Sequence, residues 1–265
     1  MSEPLFVEER RRAILDELRK NGRVSVKTLS DAMHVSTVTI RQDLRSLEES
    51  GLLERTYGGA VTRTDDNILP ELSFHTRHGR HRQSKQAIAR RAASLVRSGD
   101  TIALDCSTTA YALVPFLKPL AKLTVLTNSL ITAQSFLDSP HIEVLVPAGR
   151  LRRDSISLVG QADDLMDINL NIAFLGTRGV TLGEGFSDVD RDEIIVKHAM
   201  IERAVQSVIL ADVTKWGQVA AYTFARPEEI DRIITTRDAP ETMVRGFRQA
   251  GLEVDLVQLE GPHRN

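Results

Sequence analysis

The sequence predicts an α/β protein: an N-terminal winged helix-turn-helix followed by a C-terminal open, mostly parallel sheet covered by helices. Three observations carry that prediction. Residues 1–62 contain three short helical periodicities, the third opened by a serine, and then two β-prone runs around Gly58-Gly59. From about Asp100 to Gln258, short β-rich runs alternate with helical stretches, the pattern of a parallel sheet with helices on its faces. Between the two lies a polar, basic stretch with His75, Arg77, His78, Arg80, His81, Arg82 and Lys85. The 265 residues suffice for two domains, read as residues 1–62, a basic linker over 63–83 and a larger domain over 84–265.

The first helix, about Val7–Lys20, buries Ile14, Leu15 and Leu18, and Asn21-Gly22 ends it in a left-handed cap. Ser25 caps a second helix with Val26, Leu29 and Met33 at helical spacing. A tight turn at His34-Val35 leads to Ser36, the N-cap of a third helix running to about Ser50, whose Ile40, Leu44 and Leu47 face the core. Its opposite face carries Val38, Arg41, Gln42 and Arg45, with Thr37 and Thr39 in the first turn.

Arg pairs bidentately with guanine and Gln with adenine, and Val packs on a thymine methyl. Gly58-Gly59 between β-prone runs reads as a hairpin turn, which makes a wing and sets Arg55 and Tyr57 on phosphates. The predicted DNA contacts are Ser36, Thr37, Val38, Thr39, Arg41, Gln42, Arg45, Arg55 and Tyr57, and the partner is double-stranded DNA. A helical protein-interaction module would also show a polar face; the wing behind it favours DNA.

Bulk composition narrows the rest. With 34 basic against 36 acidic residues the net charge is −2, so DNA binding must come from a local arrangement of bases. No apolar run is long enough to span a bilayer, and Met1 to Arg12 lacks the apolar core of a signal peptide. The single cysteine, Cys106, fits a reducing compartment. A cytoplasmic protein without membrane contact is expected.

The linker lies near Arg63–Leu72, and the basic residues read as a solvated connector. It leads into a helix, Ser84–Val96, whose Ile88, Ala92, Leu95 and Val96 share a face. Five strands then follow. Thr101–Asp105 ends before Ser107-Thr108-Thr109, Leu123–Thr127 before Asn128-Ser129, and Glu143–Pro147 before Gly149-Arg150. Ile172–Leu175 ends in Gly176-Thr177-Arg178-Gly179, and Ser207–Ala211 in Asp212 with Lys215 just beyond.

In open α/β sheets, ligands bind beyond the carboxyl ends of the strands. Hydroxyls and backbone N–H groups at a helix start suit an anion, and Lys215 neutralises it. Asp105 suits sugar hydroxyls, because a carboxylate beside phosphate repels it. A scaffold with no small ligand would leave these residues as mere turn formers.

The run Ser36-Thr37-Val38-Thr39-Ile40-Arg41-Gln42-Asp43-Leu44, with Leu47, Gly51-Leu52-Leu53 and Arg55-Thr56-Tyr57-Gly58-Gly59-Ala60, closely resembles the DeoR (deoxyribose operon repressor) family of regulators. Gln42 stands where many members have a second basic residue. From Lys85 to about Gln258 the chain is similar to the family's sensor domain, through Gly99-Asp100-Thr101-Ile102, Leu104-Asp105, Thr108-Thr109, Thr127-Asn128-Ser129, Leu158-Val159-Gly160, Phe174-Leu175-Gly176, Val196-Lys197 and Asp212 with Lys215. Ser107 replaces a usual Gly, and Ala148 the first Gly of a usual pair. Such domains are related to ribose-5-phosphate isomerase and bind phosphorylated sugars as effectors.

The resemblance implies a transcription regulator of carbohydrate metabolism, a repressor in the family's usual mode, and a homo-oligomer of at least two chains on repeated half-sites. The effector set is Asp105, Ser107, Thr108, Thr109, Asn128, Ser129, Arg178, Lys197, Asp212 and Lys215.

The alternative is a phosphosugar isomerase-like enzyme fused to a DNA-binding module. Aldose–ketose exchange needs a base, typically a carboxylate. A gapless overlay on the similar isomerase motif puts Lys197 where those enzymes carry their catalytic Glu, and a protonated lysine takes no proton. No enzyme activity is therefore expected. Asp190, Asp192 and Glu193 decorate the start of a helix over Asp190–Arg203. Cys106 lacks an activating cation and reads as a filler thiol. His75, His78 and His81 lack a completing ligand, so no metal or cofactor is expected.

Overall fold

The computed structural model describes residues 7–21, 23–49, 52–56, 58–61, 74–160 and 168–259. The chain divides into two compact units, Met1–Leu72 and Ser73–Asn265.

In the first unit, α1 (Val7–Asn21), α2 (Val26–Met33) and α3 (Thr37–Glu49) enclose Ile14, Leu18, Val26, Leu29, Ile40, Leu44 and Leu47. Ser25 Oγ caps α2 by accepting from Thr28 N at 3.1 Å, and Ser36 Oγ accepts from Thr39 N at 3.1 Å. His34 takes a left-handed φ of 52° as the turn between α2 and α3, its N–H donating to Ser30 O.

The wing has three strands. β1 (Arg23–Ser25) and β2 (Glu54–Thr56) flank β3 (Gly59–Val61), all antiparallel. Only Gly58 has the positive φ, +108°, and Gly59 lies in the central strand opposite Thr56 and Ser25. The expected Gly58-Gly59 turn is thus one residue late. Gly59 is needed because a Cβ there would strike the Val24 carbonyl of β1, a strand the sequence pattern does not announce.

The second unit is built on a seven-stranded, wholly parallel sheet: β4 (Thr101–Leu104), β5 (Leu123–Thr127), β6 (Ile142–Leu145), β9 (Leu170–Gly176), β12 (Ala204–Leu210), β14 (Arg232–Thr236) and β15 (Glu253–Val257). Their spatial order is β15-β14-β12-β9-β4-β5-β6. Alternate residues bury on opposite faces. Ile102, Leu104, Ile172, Phe174, Val208 and Leu210 pack under α5 (Arg82–Ala93), α6 (Thr108–Tyr111) and α7 (Val114–Leu117). Ala103, Ala173, Leu175 and Ile209 pack under α9 (Arg191–Arg203) and α10 (Glu241–Gln249). α8 is Leu130–Gln134.

Two smaller sheets stand apart: the hairpin β7 (Arg150–Arg152) with β8 (Ser157–Val159), and β10 (Gly179–Thr181), β11 (Gly185–Asp188) and β13 (Tyr222–Ala225). The five expected strands are present with ends shifted by up to three residues, and β14 and β15 extend the sheet beyond them.

The basic stretch differs from a solvated connector. Residues Phe74–Gly79 form a helix, α4, whose buried Phe74 meets Tyr111 of α6 edge-on at 5.3 Å between ring centroids. Phe74 N also donates to Asp154 O at 2.9 Å. Charge alone hid this anchor, since one aromatic residue is enough to dock a short polar helix. The linker expected near Arg63–Leu72 and Gly22 of the expected Asn21-Gly22 cap fall outside the described residues.

Candidate functional site

On α3 the inward and outward faces separate as their periods require. Ile40 and Leu44 are buried, while Thr37, Val38, Arg41, Gln42 and Arg45 are exposed. Val38 is 67% exposed, an apolar side chain held in water on a face that is otherwise polar. Ser36 and Thr39 are less available than the sequence suggests: their hydroxyls share a 2.8 Å hydrogen bond within the cap. Arg55 on the wing donates its N–H to Glu48 Oε1 at 3.0 Å and pairs with the same carboxylate at 3.5 Å. Tyr57 lies outside the described residues.

Asp43 is a structural residue the sequence reading missed. It is buried, and its carboxylate receives Arg10 Nε at 2.5 Å and Arg11 Nε at 3.0 Å, fastening α3 to α1. It lies on the core stripe of α3, three residues after Ile40 and four before Leu47, and that register is the sequence signal of an inward charge.

In the second unit the strand order reverses between β4 and β9, the place where an α/β sheet opens a crevice at its carboxyl edge. Asp105 follows β4 there and Gly176 ends β9. Asp105 Oδ2 accepts from Gly176 N at 2.9 Å and Oδ1 from Ser107 N at 3.0 Å. Lys197 of α9 donates to the same Asp105 oxygen and, at 2.8 Å, to Gly176 O, with Asp188 Oδ2 at 3.4 Å.

This corrects two expectations. Asp105 is 1% exposed with its oxygens already engaged, so it braces the switch point and does not face sugar hydroxyls. Lys197 is equally buried. Burial would lower its pKa, but Asp105 and Asp188 outweigh burial and raise it; the ammonium is already paired with both carboxylates.

Other residues of the expected effector set are also engaged in structure. Ser107 Oγ accepts from Ala110 N at 3.1 Å as the cap of α6, and Ser129 Oγ accepts from Thr132 N at 3.2 Å as the cap of α8. Asn128 Nδ2 donates to Leu158 O at 3.2 Å and ties β5 to the β7–β8 hairpin; its buried Oδ1 has no hydrogen-bond partner among the described residues. Asp212 Oδ1 accepts from Thr214 N at 2.9 Å. α6 is a single turn, so its dipole is small and cannot by itself hold an anion.

Side-chain charge is the larger feature. Thr108 and Thr109 open α6 beside a cleft of about 440 Å³ whose walls include His78, Lys85, Thr108, Tyr111 and Phe116. Lys85 lies on the buried face of α5 with Ile88, Ala89 and Ala92, and burial, Lys215, Arg77 and Arg178 together push its pKa down to about 8 against the opposing pull of Asp212. Lys215 is lowered by burial, with Arg178 and Arg77 adding and Asp212 opposing. Arg77 is lowered by burial and by Arg178. Arg178 Nε stands 3.7 Å from Asp188.

Arg77, Lys85, Arg178 and Lys215 thus act on one another electrostatically, with Asp188, Asp212 and Glu193 opposing, while Lys197 is paired with Asp105 and Asp188. Arg77 and Lys85 were not in the expected set. The signal for Lys85 is its register, i−3 and i−7 from Ile88 and Ala92 on an apolar stripe.

Glu193 and Cys106 are buried beside the same charged group. Arg152 Nη1 lies 2.8 Å from Glu193 Oε1, and the Cys106 thiol donates to the same oxygen at 3.1 Å. Burial would raise the Glu193 pKa, but Arg152 and Lys197 hold it at about 2. Burial, Glu193 and Asp105 push the Cys106 thiol up. So weakly basic a carboxylate and so reluctant a thiol suit neither proton abstraction nor nucleophilic attack. Asp190 caps α9, accepting from Asp192 N and Glu193 N. His78 packs edge-on against Tyr111.

Residues 10–65 match the DeoR-like helix-turn-helix domain, and residues 80–237 match the DeoR C terminal sensor domain. The chain belongs to the DeoR family. Its DeoR-family relatives include the HTH-type transcriptional regulator GolR of Listeria innocua, 34% identical over 96% of this chain and 100% of that one. A putative aga operon transcriptional repressor of Escherichia coli is 32% identical over 94% and 93% of the two chains. The HTH-type transcriptional repressor GlcR of Bacillus subtilis is 34% identical over 88% and 90%. This DeoR-family chain is therefore a DNA-binding transcription regulator and not an enzyme.

Proposed function

We propose that the protein represses a carbohydrate operon and is released from its operator by a phosphorylated sugar bound at the β4–β9 switch point. The gathering of Lys85, Lys215, Arg77 and Arg178, with Lys85 and Thr108 lining one cleft, carries this reading, because a phosphate monoester near neutral pH supplies about two negative charges. Arg178 and Lys215 are the proposed charge partners, and the Thr108 and Thr109 hydroxyls the neutral donors. Relatives named for the aga operon and GlcR point the same way in pathway class.

The proposed assembly is a cytoplasmic homo-oligomer of at least two chains, placing α3 of each on an operator half-site. Val38, Arg41, Gln42 and Arg45 are the proposed base-reading residues, with Arg55 on a phosphate. Effector and operator are coupled through their different affinities for the two states of the regulator.

Calorimetry of the full chain against matched pairs of sugars and sugar monophosphates tests this. A phosphorylated member should bind at least tenfold tighter than its parent sugar, and release operator DNA. Equal affinity within every pair would sink the proposal.

A further inference from the structure

α9 has two faces, and one of them packs on the sheet. That inner face carries Glu193, Ile194, Val196, Lys197, Ala199 and Met200, all buried. Lys197 fixes it to Asp105 and to the Gly176 carbonyl, and Asp190 caps the helix. The outer face carries Arg191, Ile195, His198 and Glu202, all exposed. At i, i+4, i+7 and i+11 these four fall within a stripe about 60° wide, since each residue turns about 100° around the axis. Ile195 is 39% exposed in the middle of the stripe. The side chains of Arg191, His198 and Glu202 make no hydrogen bond or ion pair among the described residues.

The stripe is complementary to itself. Arg191 and Glu202 lie equally far from a midpoint between Val196 and Lys197, and so do Ile195 and His198. A second α9 turned end over end about that midpoint sets a glutamate opposite each Arg191 and a histidine ring against each Ile195. A parallel copy in register would set arginine on arginine and glutamate on glutamate. Within one chain, moreover, a cation at the N-terminus and an anion at the C-terminus run against the helix dipole, so Arg191 and Glu202 do nothing for the isolated helix. An antiparallel copy reverses that disadvantage by bringing an anion to each N-terminus.

A helix about 20 Å long covers less than the roughly 800 Å² per partner of a typical stable interface, so flanking elements must take part. β8 and β13 pack against α9, and the same region exposes Leu151 of the hairpin and Tyr222 of β13. Val189 and Val205, just beyond the two ends of α9, are exposed as well, and antiparallel packing brings those ends together.

Resting on the homo-oligomer proposed above, we infer that the partner for this surface is a second copy of the chain. The two α9 helices pack antiparallel about a two-fold axis, with Arg191 paired to Glu202 of the partner subunit on both sides of it.

Sedimentation velocity of the full-length protein over a concentration series tests this. The parent should dimerise. Arg191→Glu and Glu202→Arg should each raise the dimer dissociation constant about tenfold or more, because each sets like charges face to face on both sides of the axis. The double variant Arg191→Glu/Glu202→Arg should dimerise as the parent does. Single variants that dimerise like the parent would overturn the α9 interface and leave the homo-oligomer standing. Loss in both single variants with no recovery in the double variant would overturn the antiparallel register. A parent chain that stays monomeric at every concentration would overturn the interface and the homo-oligomer together.

Discussion

Ser107 occupies space that exists only because residue 176 is glycine: a Cβ on Gly176 would collide with both Cβ and Oγ of Ser107 and lie 3.7 Å from Asp105 Oδ2. The pair sits at the β4–β9 switch point, where Gly176 also supplies its N–H to Asp105 and its carbonyl to Lys197. Gly176→Ala should displace the Ser107 cap of α6 and so move Thr108 and Thr109. A loss of about 1–3 kcal/mol in stability, the usual cost of overpacking a filled site, is expected in a denaturant melt, with effector affinity falling as well. Restoring space with Ser107→Gly in the same chain should recover both.

Asp105→Asn should act on the fold more than on sugar choice. It leaves Lys197 buried beside Asp188 with half its neutralising charge removed, and breaking a buried pair costs about 3–5 kcal/mol. A thermal melt should show the loss. Unchanged stability with altered preference among sugars would restore Asp105 to the ligand-contacting set.

Effector binding should depend on pH through Lys85. Its pKa is lowered to about 8 by burial and by Lys215, Arg77 and Arg178, with Asp212 opposing, so above that value the ammonium is lost and phosphate affinity falls. Below about pH 6 the phosphate gains a proton and affinity falls again. A bound dianion raises the Lys85 pKa, so binding near pH 8 should take up protons. Calorimetry in two buffers of different ionisation enthalpy measures that uptake, and Lys85→Met should abolish the alkaline limb.

The two arginines on Asp43 should matter for the DNA-binding unit without touching DNA. Asp43→Asn removes the charge that Arg10, itself buried, depends on. A loss of about 3–5 kcal/mol in the first unit is expected, read as earlier melting of its amides in hydrogen exchange. Parental protection of α1 and α3 amides would show that the pair is dispensable.

Replacing Gln42 by Ala should cost about 1–3 kcal/mol and relax preference at one base position. Arg55→Ala should weaken all sequences alike and flatten the salt slope by about one unit. Because Arg55 is also paired with Glu48, Glu48→Gln should strengthen non-specific binding by freeing it. A Gln42→Ala chain with parental affinity and base preference would disprove this placement of α3.

Local order was legible in the sequence. Ser25 and Ser36 cap helices as their types and positions require, and the 3.6-residue period separated Ile40 and Leu44 from Arg41 and Gln42, because capping and periodicity act over a few residues. The strands that carry the site were legible too, as unbroken apolar runs buried on both faces. Long-range pairing was not. That Gly59 lies under β1, that β4 and β9 are neighbours, that Asp105 and Lys197 neutralise each other across 92 residues, and that Phe74 docks a basic segment so that Arg77 and Lys85 join Arg178 and Lys215 were decided by tertiary structure alone. A charged side chain reads the same whether it faces water or a buried partner, and only the fold determines which partners it meets.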